Sequence, residues 1–181
     1  MGLGQVKVGN KAPNEVNVII EIGQGAAPVK YEVDKQTQAL HVDRFLSTAM
    51  HYPCNYGYVP ETLCDDGDPS DVLVITPFPL QAGVVISVRP IGMLVMTDEK
   101  GGDNKIVAVP TTDLTSEYDA IHQVKDLPEV ILQRIGHFFE HYKDLESGKW
   151  VKIDAWLDAD AAVADISQAM AAYQSSATSQ S

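Results

Sequence analysis

Four aspartates crowd into the seven residues Asp65-Asp66-Gly67-Asp68-Pro69-Ser70-Asp71, and the apolar run Val72-Leu73-Val74-Ile75 follows at once. Like charges this close repel one another unless a cation sits among them. Gly67 permits a backbone turn that a side chain would block, and Pro69 fixes the next φ, so Asp66, Asp68 and Asp71 can converge on one point. Hard oxygen donors on a short acidic turn suit Mg2+, Mn2+ or Ca2+, although the same composition also makes an ordinary solvated loop. An EF-hand is ruled out by counting. From Asp66 its sixth and twelfth positions hold Asp71 and Pro77 where Gly and Glu are needed, and a strand-like run stands where a helix should begin.

Acids and cations recur elsewhere. Glu21 lies late in an apolar run, Lys30 and Glu32 alternate in Val29-Lys30-Tyr31-Glu32, and Arg44 follows Asp43. A second acidic loop, residues 97–105, carries Asp98, Asp103 and Lys105; Tyr52 and Tyr56 share one short segment, and Tyr142-Lys143 form a further pair. Metal-assisted attack on a phosphoryl group calls for that mixture: carboxylates hold cations that acidify a bound water, while Lys, Arg and Tyr grip phosphate oxygens and neutralise a leaving group. Plainer uses exist. Lys30 with Glu32 can be a surface ladder pair, and Tyr142 fits the apolar stripe of its helix. His137 and His141, one helical turn apart, lack a third ligand and read better as a subunit-contact face than as a metal site.

The elements that must position these groups are mostly strands. Residues 1–14 show no periodicity and predict a loosely held arm ending in a turn at Pro13-Asn14. Residues 16–22 are rich in β-branched side chains, and 29–34 alternate strictly, with Lys30, Glu32 and Asp34 on one face that can line a cleft together with Glu21. Gln36-Thr37-Gln38 reads as a hairpin turn before a third strand, 40–45. The two prolines, the glycine and the three tyrosines of 47–63 predict an ordered loop. Buried strands are expected at 72–76 and 84–88, continued by 91–96, and another strand at 106–110. Helix signals come only afterwards. Asp126 as N-cap with Glu129 in a capping box predicts a helix over 127–146 stopped by Gly148, and Asp158 predicts a cap for an alanine-rich helix reaching Tyr173. Between them 150–156 reads as a strand, and 174–181 as a disordered Ser/Ala/Thr/Gln tail. Together these predict a mainly β, α+β fold: a small OB-like five-stranded antiparallel barrel flanked by two helices.

A chain of 181 residues, 45% hydrophobic, can bury one core, so residues 15–173 are expected to form a single domain. No run is apolar enough for a membrane span, and the N-terminus lacks the blocks of a signal peptide, so the expected location is cytoplasmic. Cys54 and Cys64 are then expected as free thiols. A formal charge of −12 disfavours nucleic acid or an anionic membrane as partner.

From about Glu15 to Trp156 the chain resembles the bacterial-type family I inorganic pyrophosphatases. The resemblance rests on Asp66-Gly67-Asp68-Pro69-Ser70-Asp71-Val72, on VKYE, VDRFLSTAM and YPCNYGY, on the 97–105 loop and on HFFEHYKDLE. Ser70 departs from the family pattern, which has an aliphatic residue packed behind the acidic turn. The resemblance implies hydrolysis of inorganic diphosphate by a Mg-activated water. It implies metal ligands at Glu21, Glu32, Asp66, Asp71, Asp98 and Asp103, with Asp66, Asp71 and Asp103 forming the tight site. It further implies substrate contacts from Lys30, Arg44, Tyr56, Lys105, Tyr142 and Lys143, and a general base at Asp68 with Tyr56 next in line. Mn2+ or Zn2+ are expected substitutes for Mg2+, Ca2+ an inhibitor, and a homohexamer the assembly, with a small dimer of the eukaryotic kind as the alternative. The residues by themselves leave two alternatives: a two-metal phosphoesterase acting on another ester, and a non-catalytic OB-type binding module.

Overall fold

Runs of Val and Ile that are apolar at every position, rather than at every second one, must be buried on both faces. That is how the computed structural model, which describes residues 2–34 and 36–179, uses them. Strands Val16–Ile22 (β1), Asn55–Tyr58 (β4), Asp71–Val74 (β5), Val85–Asp98 (β6) and Lys105–Pro110 (β8) close a ring in the order β1-β4-β5-β8-β6-β1. Val151–Leu157 (β9) and the short Gly101–Gly102 (β7) add to β6 outside the ring. Leu73, Val107 and Val109 point to a cluster with Ile135, Phe138 and Phe139 of helix Glu129–His141 (α1). Their neighbours Val72, Val74, Ile106 and Ala108 point the opposite way, towards Ala162 and Ile166 of helix Ala159–Ser179 (α2). Period-two alternation thus divides each strand between two helices.

The expected fold class holds, with corrections in detail. The ring is not antiparallel throughout: β5 and β8 run parallel, Val72 opposite Ile106, because the chain reaches β8 only after crossing over through β6. The segments 84–88 and 91–96 are one bent strand, β6, whose register shifts between Pro90 and Gly92. Pro90 has no N–H for the ladder, and a bulge absorbs the loss. The start of β6 is also less buried than expected, with Val85 43% exposed.

Residues 55–58 form β4 rather than a loop. A Cβ on Gly57 would lie 2.1 Å from the Ile19 carbonyl oxygen, so the glycine there serves a close strand approach and not a turn. Asp126 does not cap α1. Its carboxylate accepts the N–H groups of His122 and Gln123, at 2.9 and 2.8 Å, and closes a 3-10 turn, while Pro128 precedes α1 without a side-chain cap. α1 ends at His141, so Tyr142 and Lys143 stand just past its carboxyl end rather than within it. Asp158 does cap the last helix, accepting the Ala161 N–H at 3.0 Å.

The tail differs too. Gln174 to Ser179 continue α2, and Ser175, Ser176 and Thr178 return their hydroxyls to carbonyls of the preceding turn, so these polar residues satisfy themselves within the helix. Residues 180 and 181 lie outside the described residues. The N-terminal arm is tied down as well: Glu61 accepts from Lys7 Nζ at 2.7 Å and from the Val8 N–H at 3.1 Å, and the Asn17 N–H reaches the Val8 carbonyl at 2.7 Å.

Candidate active site

Val29–Val33 (β2) and Leu40–Phe45 (β3) form a separate two-stranded sheet that overhangs one end of the ring. In its register Lys30 stands opposite Arg44, which sets two cations side by side. The Val33 N–H donates to Glu21 Oε1 at 2.7 Å and ties the hairpin to the end of β1. Below it, the end of β6, the start of β8, the acidic turn before β5 and the residues after α1 meet around a cleft of 410 Å³. All thirteen residues named from the sequence line it: Glu21, Lys30, Glu32, Arg44, Tyr56 and Asp66, with Asp68, Asp71, Asp98, Asp103, Lys105, Tyr142 and Lys143. Asp34, on the same predicted strand face as Lys30 and Glu32, turns instead to cap the hairpin, accepting the Thr37 N–H at 2.7 Å.

The acidic turn is held by its backbone. Gly67 takes φ +89°, a conformation that side chains disfavour. The Cys64 N–H donates to the Asp68 carbonyl at 2.8 Å, and the Asp68 N–H to Asp66 Oδ1 at 3.0 Å. Ser70, the departure from the family pattern, does not loosen the turn. It is 2% exposed, its N–H donates to Thr62 Oγ1 at 2.9 Å, and its hydroxyl meets Cys64 Sγ at 3.5 Å. Cys54 and Cys64 are free thiols, as expected. Burial pushes the Cys54 thiol up to about 12.

Two ammonium groups organise the interior. Lys105, 4% exposed, donates to Asp71 Oδ2 and Asp103 Oδ1, both at 2.5 Å, with the Tyr56 ring 5.7 Å away. Burial works against its charge, yet the two carboxylates outweigh burial and raise its pKa. Lys143, also 4% exposed, donates to Asp98 Oδ2 at 2.6 Å and lies 3.4 Å from Glu99. Burial opposes its charge as well, and the Asp98 hydrogen bond prevails, raising Lys143 and lowering Asp98. Glu21 is the opposite case. Burial, with Asp71 and Glu32 nearby, outweighs the Val33 hydrogen bond and pushes its carboxyl up to about 8. Burial first, then Asp71, raises the Tyr56 hydroxyl well above its ordinary value, so Tyr56 is suited to donating a hydrogen bond and poorly suited to acting as a base.

Arg44 Nε is buried and, among the described residues, meets no hydrogen-bond partner, an unspent donor in an anion-sized cleft. The sequence reading missed Glu99, Lys100 and Lys149, which also line the cleft. Glu99 and Lys100 lie in the acidic loop already singled out; Lys149 has no local signal and is held by Glu146. With these included, eight carboxylates face six cations, an arrangement that takes in a polyanion only with added positive charge.

Comparison with known proteins agrees with this geometry. A model of the inorganic pyrophosphatase family matches residues 18–174. An inorganic pyrophosphatase of Yersinia pestis is 61% identical over 166 residues, 92% of this chain and 95% of that protein. The solved inorganic phosphatase of Anaplasma phagocytophilum superposes with a TM-score of 0.91 at 51% identity, over 93% of this chain and 99% of that one. The inorganic pyrophosphatase of Thermus thermophilus does so at 0.89 and 44%, over 96% and 99%. With a barrel that matches theirs and a cleft of carboxylates, lysines and tyrosines at its mouth, the chain belongs to the bacterial-type family I inorganic pyrophosphatases, enzymes that hydrolyse inorganic diphosphate to two orthophosphates.

Proposed function

We propose that this hydrolysis runs on divalent cations, Mg2+ foremost, held in the cleft by Asp66, Asp71 and Asp103, with Asp98, Glu21 and Glu32 serving further ions that arrive with substrate. The observation that carries this reading is the donor set: carboxylate oxygens throughout, two of them already drawn to one cationic point at Lys105. Among the described residues no three acidic, imidazole or thiol groups close on one point. Mg2+ keeps several waters and takes substrate phosphate oxygens beside its carboxylates, so the acids that serve it can be spread over the cleft and shared between ions. When bound, such ions supply the charge that acidifies water and offsets the substrate's own.

The chain's residues do the rest. Lys30, Arg44, Tyr142 and Lys143 hold the leaving phosphate, with the unpartnered Arg44 Nε as the free donor. Tyr56 and Lys105 orient the attacked phosphate. Asp68, on the rim, takes the proton of the attacking water as its oxygen bonds to phosphorus and the bridging P–O bond breaks. Phosphate release should be followed with diphosphate, a nucleoside triphosphate and a phosphomonoester, each with and without Mg2+. Rapid release from diphosphate alone, abolished by a chelator, is expected. Equal turnover of the monoester would sink the assignment. Mn2+ or Zn2+ should sustain a reduced rate. Ca2+, larger and less exacting in geometry, should bind and inhibit, and full turnover with Ca2+ would contradict the metal assignment.

Glu21 gives a pH test in chelator-treated protein. Its folded value near 8 lies above the ordinary carboxyl value, so the group favours folding at low pH, and that stability is lost as pH rises through about 4.5 to 8. Glu21→Gln keeps an acceptor for the Val33 N–H without the charge. The variant should be more stable than the parent at pH 8 by on the order of a few kcal/mol, with the gap closing near pH 5. A gap that is constant across this range in thermal melts would refute it.

The active assembly is proposed to be a homohexamer acting in the cytoplasm. The His137 and His141 rings lie tilted against each other with centroids 4.8 Å apart, and His137 lines an apolar groove together with Met50, Pro53 and Val130. Such a face suits contact with another copy. No helix among the described residues is long and apolar enough to cross a membrane. Sedimentation as a monomer at micromolar concentration and neutral pH would remove the hexamer.

A further inference from the structure

The ladder between β4 and β5 ends with Tyr58 opposite Asp71, and beyond that pair one chain runs on into residues 59–64 while the other opens into the acidic turn. The next pair in register is Val59 and Ser70, and only half of its bonding is direct. The Val59 N–H donates to the Ser70 carbonyl at 3.0 Å. The return bond passes through a side chain: the Ser70 N–H donates to Thr62 Oγ1 at 2.9 Å, and the same hydroxyl donates to the Val59 carbonyl at 2.6 Å. A hydroxyl can do this because one oxygen is both donor and acceptor. Val59, Thr62 and Ser70 are 0%, 4% and 2% exposed, so bulk water is kept from these groups. The segment that carries Thr62 is itself anchored. Glu61 takes φ +58°, unusual for a residue with a side chain, and its carboxylate accepts from Lys7 Nζ and the Val8 N–H; the Leu63 N–H donates to the Ala169 carbonyl at 3.0 Å.

We propose that Thr62, which lies outside the lining of the cleft, is a positioning residue for the acids: its hydroxyl, set as a rung between Val59 and Ser70, fixes where the acidic turn rejoins β5 and hence where Asp71 meets Asp103 and Lys105. The inference rests on the reading that these carboxylates hold divalent cations. The interposed oxygen lets the two chains part by more than a direct ladder bond allows while leaving neither polar group unsatisfied. Asp71 is the residue immediately after Ser70, so any shift of the Ser70 backbone is passed to it directly. Groups that support a metal ligand in this way commonly govern affinity by about 10- to 100-fold.

Mg2+ binding should be measured by calorimetry on the intact protein without substrate, with thermal melts in chelator to follow stability. Thr62→Val keeps the shape and removes both bonds, and should weaken Mg2+ binding by about 10-fold. Thr62→Ser keeps the hydroxyl and should bind as the parent does. Thr62→Cys offers a longer, weaker donor and acceptor and should fall between them. Should Thr62→Val fail to fold, Thr62→Cys against Thr62→Ser decides in the same way. Val88→Ala, in the core where β6 pairs with β1, serves as the control for stability and should retain parental affinity at a comparable loss of melting temperature. Parental affinity in Thr62→Val, equal affinity in the Ser and Val variants, or an equal loss in Val88→Ala each overturns the positioning role. Asp71→Asn is the reference: full affinity there overturns the metal reading and the proposal with it, whereas lost affinity there with parental affinity in Thr62→Val rejects the positioning role alone.

Discussion

Replacing Asp68 by Asn slows diphosphate hydrolysis by about 10²- to 10⁴-fold, the usual loss for a general base, while Mg2+ affinity changes little. The expectation rests on how differently the two ends of the acidic turn are placed. Asp68 is exposed and lines the cleft, with its backbone pinned on both sides by the Cys64 N–H and by Asp66 Oδ1. Asp71 is half-buried and engaged with Lys105. Asp71→Asn should therefore weaken metal binding directly. Metal titrations and the rate–pH profile of the two variants separate the roles. Equal loss of metal in both would make Asp68 a ligand and send the search for the base elsewhere. Tyr56, the next candidate by sequence, is then a poor one, because burial and Asp71 hold its proton on.

Lys105→Met is expected to destabilise the metal-free protein by about 3 to 5 kcal/mol, the usual cost of breaking a buried charge network on one side. Methionine fills much the same volume, so the loss reports the ammonium rather than a cavity. Asp71 and Asp103 would then face each other with no cation between them. The sharper part of the expectation is its metal dependence. A divalent ion can occupy the point the ammonium has left, so saturating Mg2+ should recover most of the lost stability while turnover stays low for want of a phosphate contact. Thermal melts with chelator and with Mg2+ check this. An identical deficit in both conditions would mean that the two carboxylates do not share a cation site.

Much of this was legible before any coordinates. The apolar runs 16–22 and 106–110 became strands because they are dense in Val and Ile, with apolar side chains on both faces, and such runs fit a sheet buried on both sides. The acidic turn, VKYE and the 97–105 loop declared their chemistry by residue type, and the Asp158 cap by its position before an alanine-rich run. Where the local reading went wrong, a distant contact had overruled it. Gly57 looked like a turn residue and is the bare backbone that lets β1 and β4 approach. Asp126 looked like the cap of α1 and instead closes the preceding 3-10 turn.

What tertiary structure alone decided was distance. Glu21, Arg44, Asp71, Asp103 and Lys143 come from separate segments, and only closure of the ring, with the β2–β3 hairpin folded over its mouth, brings them to one cleft. The shifted proton affinities of Glu21, Tyr56 and Lys105 follow from burial and from partners far off in the chain, so no window of sequence contains them. Local patterning depends on interactions a few residues apart and is written in the order of the side chains; the spacing of a site depends on which strand ends meet, and only the packed ring specifies that.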